Sequence, residues 1–152
     1  MVAQFLAYVE LCITNAQEEV LLVKPDRRGL KFTYPSNLID FGEHAAYAAM
    51  TTLRDFTGIE SRDLTPHHAF LWNDYHHLSM HFVFKTDPIP EPIGIQLPKE
   101  FKRFKWFKSG LIKDDVSIDQ FVREDFGGTS YLSREVFALS ERQLGDRPNG
   151  HR

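Results

Sequence analysis

YPSNLIDFGEHAAYAAMTTLRDFTGIE, residues Tyr34 to Glu60, is the stretch that decides the fold. A proline turn opens it and leads into a short apolar run. A second turn around Gly42 then enters an alanine-rich segment, and alanine is the strongest helix former. Gly58 follows at a place where helices commonly end. The stretch therefore predicts a strand, a loop and a helix that ends at Gly58.

The spacing of this stretch resembles the Nudix box, the strand–loop–helix signature of Nudix hydrolases. That signature is usually written G-x5-E-x7-R-E-U-x-E-E-x-G-U, where U is aliphatic. With Asn37 on the first glycine, Glu43 falls on the first glutamate and Gly58 on the last glycine. Leu53 and Ile59 occupy the two aliphatic positions. The spacing of the box therefore fits, with asparagine in place of the first glycine.

The charged positions of the box differ from the signature. Thr51 stands at the arginine, Thr52 at the next glutamate, and Asp55 and Phe56 at the closing pair of glutamates. In Nudix enzymes these glutamates hold divalent cations, and Mg²⁺ prefers several hard oxygen ligands. Only Asp55 retains a carboxylate here. We therefore expect Mg²⁺ or Mn²⁺ to bind weakly, with Asp55 as the candidate metal ligand and catalytic residue.

Two arcs of the predicted helix can be separated at 100° per residue. The arc expected to face the core comprises Ala46, Ala49, Met50, Leu53 and Phe56. The arc expected to face the site comprises Ala45, Ala48, Thr52 and Asp55. We accordingly predict a buried Phe56, and a cleft between the site arc and a basic loop. On this assignment a Thr52→Glu substitution is expected to be tolerated.

The rest of the chain has the element order that the resemblance implies. Strands are predicted at residues 4–14, 20–23, 67–74, 75–86 and 104–107 from apolar runs and alternation. Pro66 is assigned to a polar link, and residues 87–100, with four prolines, to an irregular loop. A short helix is expected from Ser117 as its cap, and a second one at 130–142.

The resemblance thus implies a Nudix fold of the α/β (α+β) class, a mixed β-sheet between helices. One domain is expected over residues 1–144, with a mobile tail at 145–152.

Composition limits the functional classes. The chain has 152 residues, a formal charge of −3 and a pI near 6.1, which argues against broad electrostatic binding of nucleic acid. Its single cysteine excludes a disulfide framework. No apolar run reaches membrane-spanning length, so we expect a soluble, cytoplasmic protein with no membrane partner. A homodimer is left open.

Several other groups are candidates for chemistry. Glu43 is interpreted as a residue that stabilises the start of the helix rather than as a metal ligand, although a catalytic role is retained as an alternative. Glu100 lies in a loop where some Nudix enzymes place a late catalytic glutamate, but a solvated charge is the simpler interpretation. His77, which shares a strand face with His81, is a candidate base by resemblance, against the simpler reading of an exposed polar face.

Basic residues form a candidate ligand-binding loop. Lys24, Arg27 and Arg28 flank the expected mouth of the site and are able to meet phosphates, with Thr52 on the helix opposite. By contrast, alternation in a strand places the neighbours in the His67-His68 and His76-His77 doublets on opposite faces. The doublets are therefore predicted to be poor metal sites.

Three functions remain open at this point. The first is a Nudix-like protein that binds a nucleotide or other phosphorylated ligand and hydrolyses it weakly or not at all. The second is an active, metal-dependent hydrolase of a nucleoside diphosphate linked to another moiety, with non-standard ligands. The third is a protein-interaction or regulatory domain.

Overall fold

The computed structural model describes residues 4–26, 29–61, 63–73, 77–90 and 93–127. The strands are β1 (Gln4–Cys12), β2 (Glu19–Pro25), β3 (Ser36–Leu38), β4 (Leu64–Asn73), β5 (His77–Thr86) and β6 (Phe101–Lys108). The helices are α1 (Ala45–Thr57) and α2 (Gln120–Phe126), with a 3₁₀ helix at Ser109–Asp114. Among the helices of the described chain, none has the length and apolarity that crossing a membrane requires.

The strands form two sheets. Four strands are ordered β3-β1-β5-β4, with β1 and β5 parallel and the other two pairs antiparallel. β2 and β6 form a separate antiparallel pair. The predicted mixed α+β architecture is therefore confirmed, and β4 is an edge strand of the larger sheet.

Alternation along β1 divides the core between two faces. Leu11 points to a cluster that includes Leu21, Leu53 of α1 and Phe84. Cys12, the next residue, points to a second cluster. That cluster also contains Phe70, Val83, Phe107, Phe121 and Val122. Successive side chains of a strand point to opposite faces of the sheet. α1 and α2, which contribute to different clusters, therefore pack on opposite faces of the four-stranded sheet.

α1 ends as predicted, but its buried face is rotated. Gly58 adopts a left-handed conformation with φ of 74°, and its N–H donates to the Arg54 carbonyl. The buried residues of α1 are Ala48, Ala49, Thr52, Leu53, Phe56 and Thr57. Ala46, assigned to the core arc, is exposed, and Met50 is only half-buried. Ala48 and Thr52 of the expected site arc thus face the core, so their assignment is wrong, whereas Asp55 of the same arc is exposed.

Other boundaries also differ from the predictions. Pro66 lies inside β4 rather than in a link. α2 begins at Gln120 after Asp119, and the Ser117 hydroxyl donates to the Asp115 carboxylate, 2.6 Å away, instead of capping a helix. The helix predicted at 130–142 and the tail at 145–152 lie outside the described residues. The domain limits at 1–144 stay a prediction.

Candidate functional site

Glu43 closes the turn before α1. Its Oε1 accepts a hydrogen bond of 3.0 Å from the Asp40 N–H, while its own N–H donates to the Asp40 carbonyl at 2.9 Å. The carboxylate therefore holds the loop that leads into the helix. This geometry favours the stabilising interpretation of Glu43 over its role as a metal ligand or catalytic group.

The two replaced glutamate positions are filled by core side chains. Phe56 is 1% exposed and packs edge-to-face against Phe101, with ring centres 5.3 Å apart. Its predicted burial is confirmed. Thr52 is completely buried, and its hydroxyl donates to the Ala48 carbonyl at 2.8 Å. The expectation that Thr52 faces an open cleft is therefore wrong, and its geometry lends no support to direct ligand contact.

Asp55 and Glu100 are both exposed. The Glu100 carbonyl accepts a hydrogen bond of 2.8 Å from the N–H of Asp26, which places Glu100 beside the basic loop. Arg27 and Arg28 lie outside the described residues, so the predicted cleft between this loop and Asp55 stays a prediction. His77 begins β5, but its side chain is likewise outside the description.

Lys24 belongs to a cationic strip that the sequence analysis did not identify as a unit. Lys24 faces Arg103 across β2 and β6, and both cationic groups lie 5.7 Å from the centre of the Phe32 ring. Lys105, two residues further along β6, lies 5.0 Å from the centre of the Phe107 ring. We call Lys24, Arg103 and Lys105 the cationic strip. A positive charge beside the face of an aromatic ring is stabilised by the ring, and the charged groups of these three side chains remain able to reach anions.

His81 lies at the centre of a polar group on the α2 face of the sheet. Its ring is stacked between Tyr8 and Phe70, with centres 5.1 Å and 4.6 Å away. Its Nδ1 lies 3.3 Å from Glu10 Oε1, and its Nε2 lies 3.0 Å from Ser79 Oγ. His81 is therefore engaged within the protein rather than on an exposed polar strand face.

A second polar group surrounds Asp125 of α2. The Tyr34 hydroxyl donates to Oδ2 of Asp125. His67 Nε2 and His68 Nδ1 lie 3.2 Å and 3.4 Å from its Oδ1. Burial raises the pKa of Asp125, but the hydrogen bonds from His67 and Tyr34 and the nearby His68 outweigh burial and lower it overall. Asp125 is thus a carboxylate at neutral pH.

His68 is held neutral by its surroundings. Burial lowers the pKa of His68 more than the Asp125 carboxylate raises it. Its Nε2 is buried with no hydrogen-bond partner among the described residues. A neutral imidazole beside a carboxylate is the form in which histidine binds metals.

The His67-His68 doublet contradicts the alternation rule. The pairing of β4 with β5 shifts between Pro66, opposite Phe84, and His68, opposite Val83, so that His67 is an extra residue. Such a bulge re-aims side chains, and here both imidazoles approach Asp125. The prediction that the doublet has poor metal spacing is wrong for this reason. Pro66 was the available signal, because proline within a sheet is confined to edge strands and bulges.

Comparison with known proteins rests on structure alone. No protein-family model matches the chain, and no curated protein sequence does either. A MutT protein from Methanosarcina mazei Go1 is similar, with a TM-score of 0.73, 16% identity, and coverage of 89% of this chain and 97% of that one. A binary complex of the Ap4A hydrolase from C. elegans has a TM-score of 0.54 and 20% identity, covering 92% and 98%.

A third similar structure is the Nudix domain of NrtR from Shewanella oneidensis, complexed with ADP ribose. Its TM-score is 0.59 with 14% identity, and the match covers 86% of this chain and 89% of that one. At these identities the likeness concerns the fold. It agrees with the element order and with the box frame from Asn37 to Ile59. The chain has the Nudix fold.

Proposed function

We propose that this protein binds a nucleotide or another phosphorylated ligand, and that its hydrolytic activity is weak or absent. The observation that carries the proposal is the state of the box helix. Two of its three glutamate positions hold Thr52 and Phe56, both fully buried and packed. The helix keeps its position in the fold, but its side chains at these two positions pack in the core and offer no carboxylate.

The residues present do not fit the divalent cations that the fold family implies. Thr52 spends its hydroxyl on the Ala48 carbonyl, and Phe56 has no ligand atom. Glu43 holds the turn before α1. Within α1, Asp55 alone offers a carboxylate, whereas Mg²⁺ sheds its water only for a denser set of oxygen ligands. On this proposal α1 supports no metal-dependent catalytic step.

The cationic strip supports the binding half of the proposal. Lys24 and Arg103 hold two positive charges side by side on the β2–β6 pair, next to the loop that carries Arg27 and Arg28 in the sequence. Arginine and lysine are the usual partners of phosphate oxygens. The NrtR Nudix domain complexed with ADP ribose makes ADP-ribose a reasonable first probe.

The test is a calorimetric titration of the full chain with ADP-ribose and, separately, with Ap4A. Binding is expected, and the Lys24→Ala/Arg103→Ala double variant is expected to lose at least about tenfold in affinity, since each phosphate contact is charge-assisted. Lys113→Ala, which removes an exposed charge from the 3₁₀ helix, is the matched control and should bind like the parent. A parent that binds neither probe favours the protein-interaction alternative. Equal affinity in the double variant would place the ligand away from the strip.

The active-hydrolase alternative keeps one observation in its favour, the exposed carboxylate of Asp55. It predicts hydrolysis of a phosphoanhydride bond in the same probes, with water as the nucleophile, in Mg²⁺ or Mn²⁺. Asp55→Asn and Glu100→Gln would then each slow turnover, while binding in the absence of metal would stay unchanged. Brisk turnover by the parent replaces our proposal with this one.

A further inference from the structure

Three metal-ligating side chains converge where the edge strand β4 meets the C-terminal end of α2. They are His67 and His68 of β4 and Asp125 of α2, and their nearest ligand atoms all lie within 4.8 Å of one another. The group lies on the face of the sheet against which α2 packs. It is separate from the box helix, which packs on the opposite face.

Two of the three distances match the edges of a tetrahedral site. Ligand atoms at about 2.0–2.2 Å from Zn²⁺ at tetrahedral corners are about 3.3–3.5 Å apart. The two edges that end on Asp125 Oδ1 measure 3.2 Å to His67 Nε2 and 3.4 Å to His68 Nδ1. The remaining edge, between the two imidazoles, is at most 4.8 Å and has to shorten when an ion binds. The side chain of His67 is 36% exposed and is the ligand with room to move.

The carboxylate is already oriented for this role. Asp125 has only 5% of its side chain exposed, and the Tyr34 hydroxyl donates to Oδ2, which leaves Oδ1 directed at both imidazoles. A hydrogen bond to the non-ligating oxygen is the outer-shell contact that typically fixes a metal-binding carboxylate. The bulge after Pro66 supplies the two histidines on one side of the strand.

We propose that His67, His68 and Asp125 bind one Zn²⁺ ion, with the fourth position open to water. Two imidazoles and one carboxylate favour Zn²⁺ and its late transition-metal neighbours over Mg²⁺, which prefers oxygen ligands alone. The ion would tie β4, the edge of the sheet, to α2. The site is independent of ligand binding at the cationic strip and would persist if that proposal failed.

The experiment uses the full chain, freed of metal by a chelator and titrated with Zn²⁺ in a calorimeter. One equivalent is expected to bind with a Kd in the micromolar range or below, and a large excess of Mg²⁺ should not displace it. Co²⁺ in place of Zn²⁺ should give the intense visible absorption of a four-coordinate ion. His67→Ala is the main variant because its side chain is the most exposed of the three, and it should weaken Zn²⁺ binding at least tenfold.

The chain has seven histidines, and controls separate this site from the five that lie outside it. His44→Ala removes an exposed imidazole that makes no capping hydrogen bond, and it should bind Zn²⁺ like the parent. Tyr34→Phe keeps all three ligands and should weaken binding less than His67→Ala does. Unchanged affinity and Co²⁺ absorption in a folded His67→Ala variant would overturn the proposal. So would a parent that binds no stoichiometric Zn²⁺.

Discussion

Thr52 and Phe56 occupy positions whose chemistry is set by burial rather than by the box frame. A carboxylate at position 52 would lie where Thr52 is now completely buried beside Ala48. An unpaired charge in such a place is among the few changes that destabilise strongly. The burial of Thr52 therefore contradicts the expectation from the sequence that Thr52→Glu is tolerated.

We predict instead that Thr52→Glu lowers the free energy of unfolding by about 2–5 kcal/mol. Thr52→Val, which removes only the hydroxyl that donates to Ala48, should cost about 0.5–1.5 kcal/mol. Thr51→Glu adds the same charge one position away on a half-buried site and should change stability by less than about 0.5 kcal/mol. Urea denaturation of the three variants measures the differences. Equal stability of the two glutamate variants would mean that position 52 opens to solvent.

Cys12 is the second residue with a definite chemical consequence. Burial raises the pKa of its thiol from 9.0 to about 12. At pH 8 the thiolate fraction is therefore about a thousandfold below that of an ordinary cysteine, and labelling by iodoacetamide should be slower by at least that factor. Labelling in urea, where Cys12 is exposed, is the control. Rapid labelling of the native chain at pH 8 would contradict the burial of Cys12 in the core cluster that it shares with Tyr34.

The same shift predicts how stability depends on pH. The unfolded thiol ionises near pH 9, whereas the folded thiol stays neutral until about pH 12. Between these values the unfolded chain binds fewer protons, so the contribution of Cys12 to stability falls as pH rises. Below pH 9 this contribution is fully present. The free energy of unfolding, measured from denaturation curves, should therefore be lower at pH 10 than at pH 8.

At the scale of elements, α1 illustrates how far the sequence reaches. Its end was predictable because Gly58 supplies the left-handed residue that terminates helices. Its orientation was not, because alanines on both arcs make two rotations of the helix similar in apolar character. Packing on the sheet selected the arc of Ala48 and Thr52. The site face was assigned from the family resemblance, but two of its residues, Ala48 and Thr52, belong to the core.

β4 illustrates the opposite case, in which a single irregularity creates a candidate site. Alternation predicts side-chain direction only while the pairing register is constant, and the bulge at Pro66 to His68 interrupts it. The partner of the doublet, Asp125, is 58 positions beyond His67 and is brought near only by the fold. Neither fact can be read from the spacing of the histidines.

The end of α1 gives a prediction for the element as a whole. Gly58→Ala forces a side chain into a φ of 74° and should destabilise the fold by about 1 kcal/mol. Gly58→Asn should lose less, since asparagine tolerates this conformation better. Gly110→Ala, at a glycine without a positive φ and with no neighbouring atom within 4 Å of the added methyl group, is the matched control. Equal melting temperatures for the two alanine variants would contradict the left-handed end of α1.

At the scale of the whole molecule, the element order and the mixed sheet were predictable from the box and its flanking strands. The distribution of charge over the finished surface was not. β2 and β6 are far apart in the sequence, yet their pairing sets Lys24 beside Arg103. The molecule therefore has an acidic net charge of −3 together with a local basic strip, and average composition conceals the strip.

The two faces of the sheet should respond differently to metals. Binding to the folded state alone adds RT ln(1 + [L]/Kd) to stability, about 2.7 kcal/mol at a hundredfold excess over Kd. For Zn²⁺ at such an excess, a domain of this size should melt about 5–10 °C higher. Mg²⁺ at 1 mM should shift the melting temperature by less than about 0.5 °C, because Asp55 alone cannot replace its water shell.

Thermal melts of the parent, His67→Ala and Asp55→Asn with each metal ion provide the measurement. His67→Ala should lose the Zn²⁺ shift, and Asp55→Asn should keep it. A large Mg²⁺ shift that Asp55→Asn abolishes would instead reveal a working metal centre on α1, because only the box helix loses its ligand in that variant.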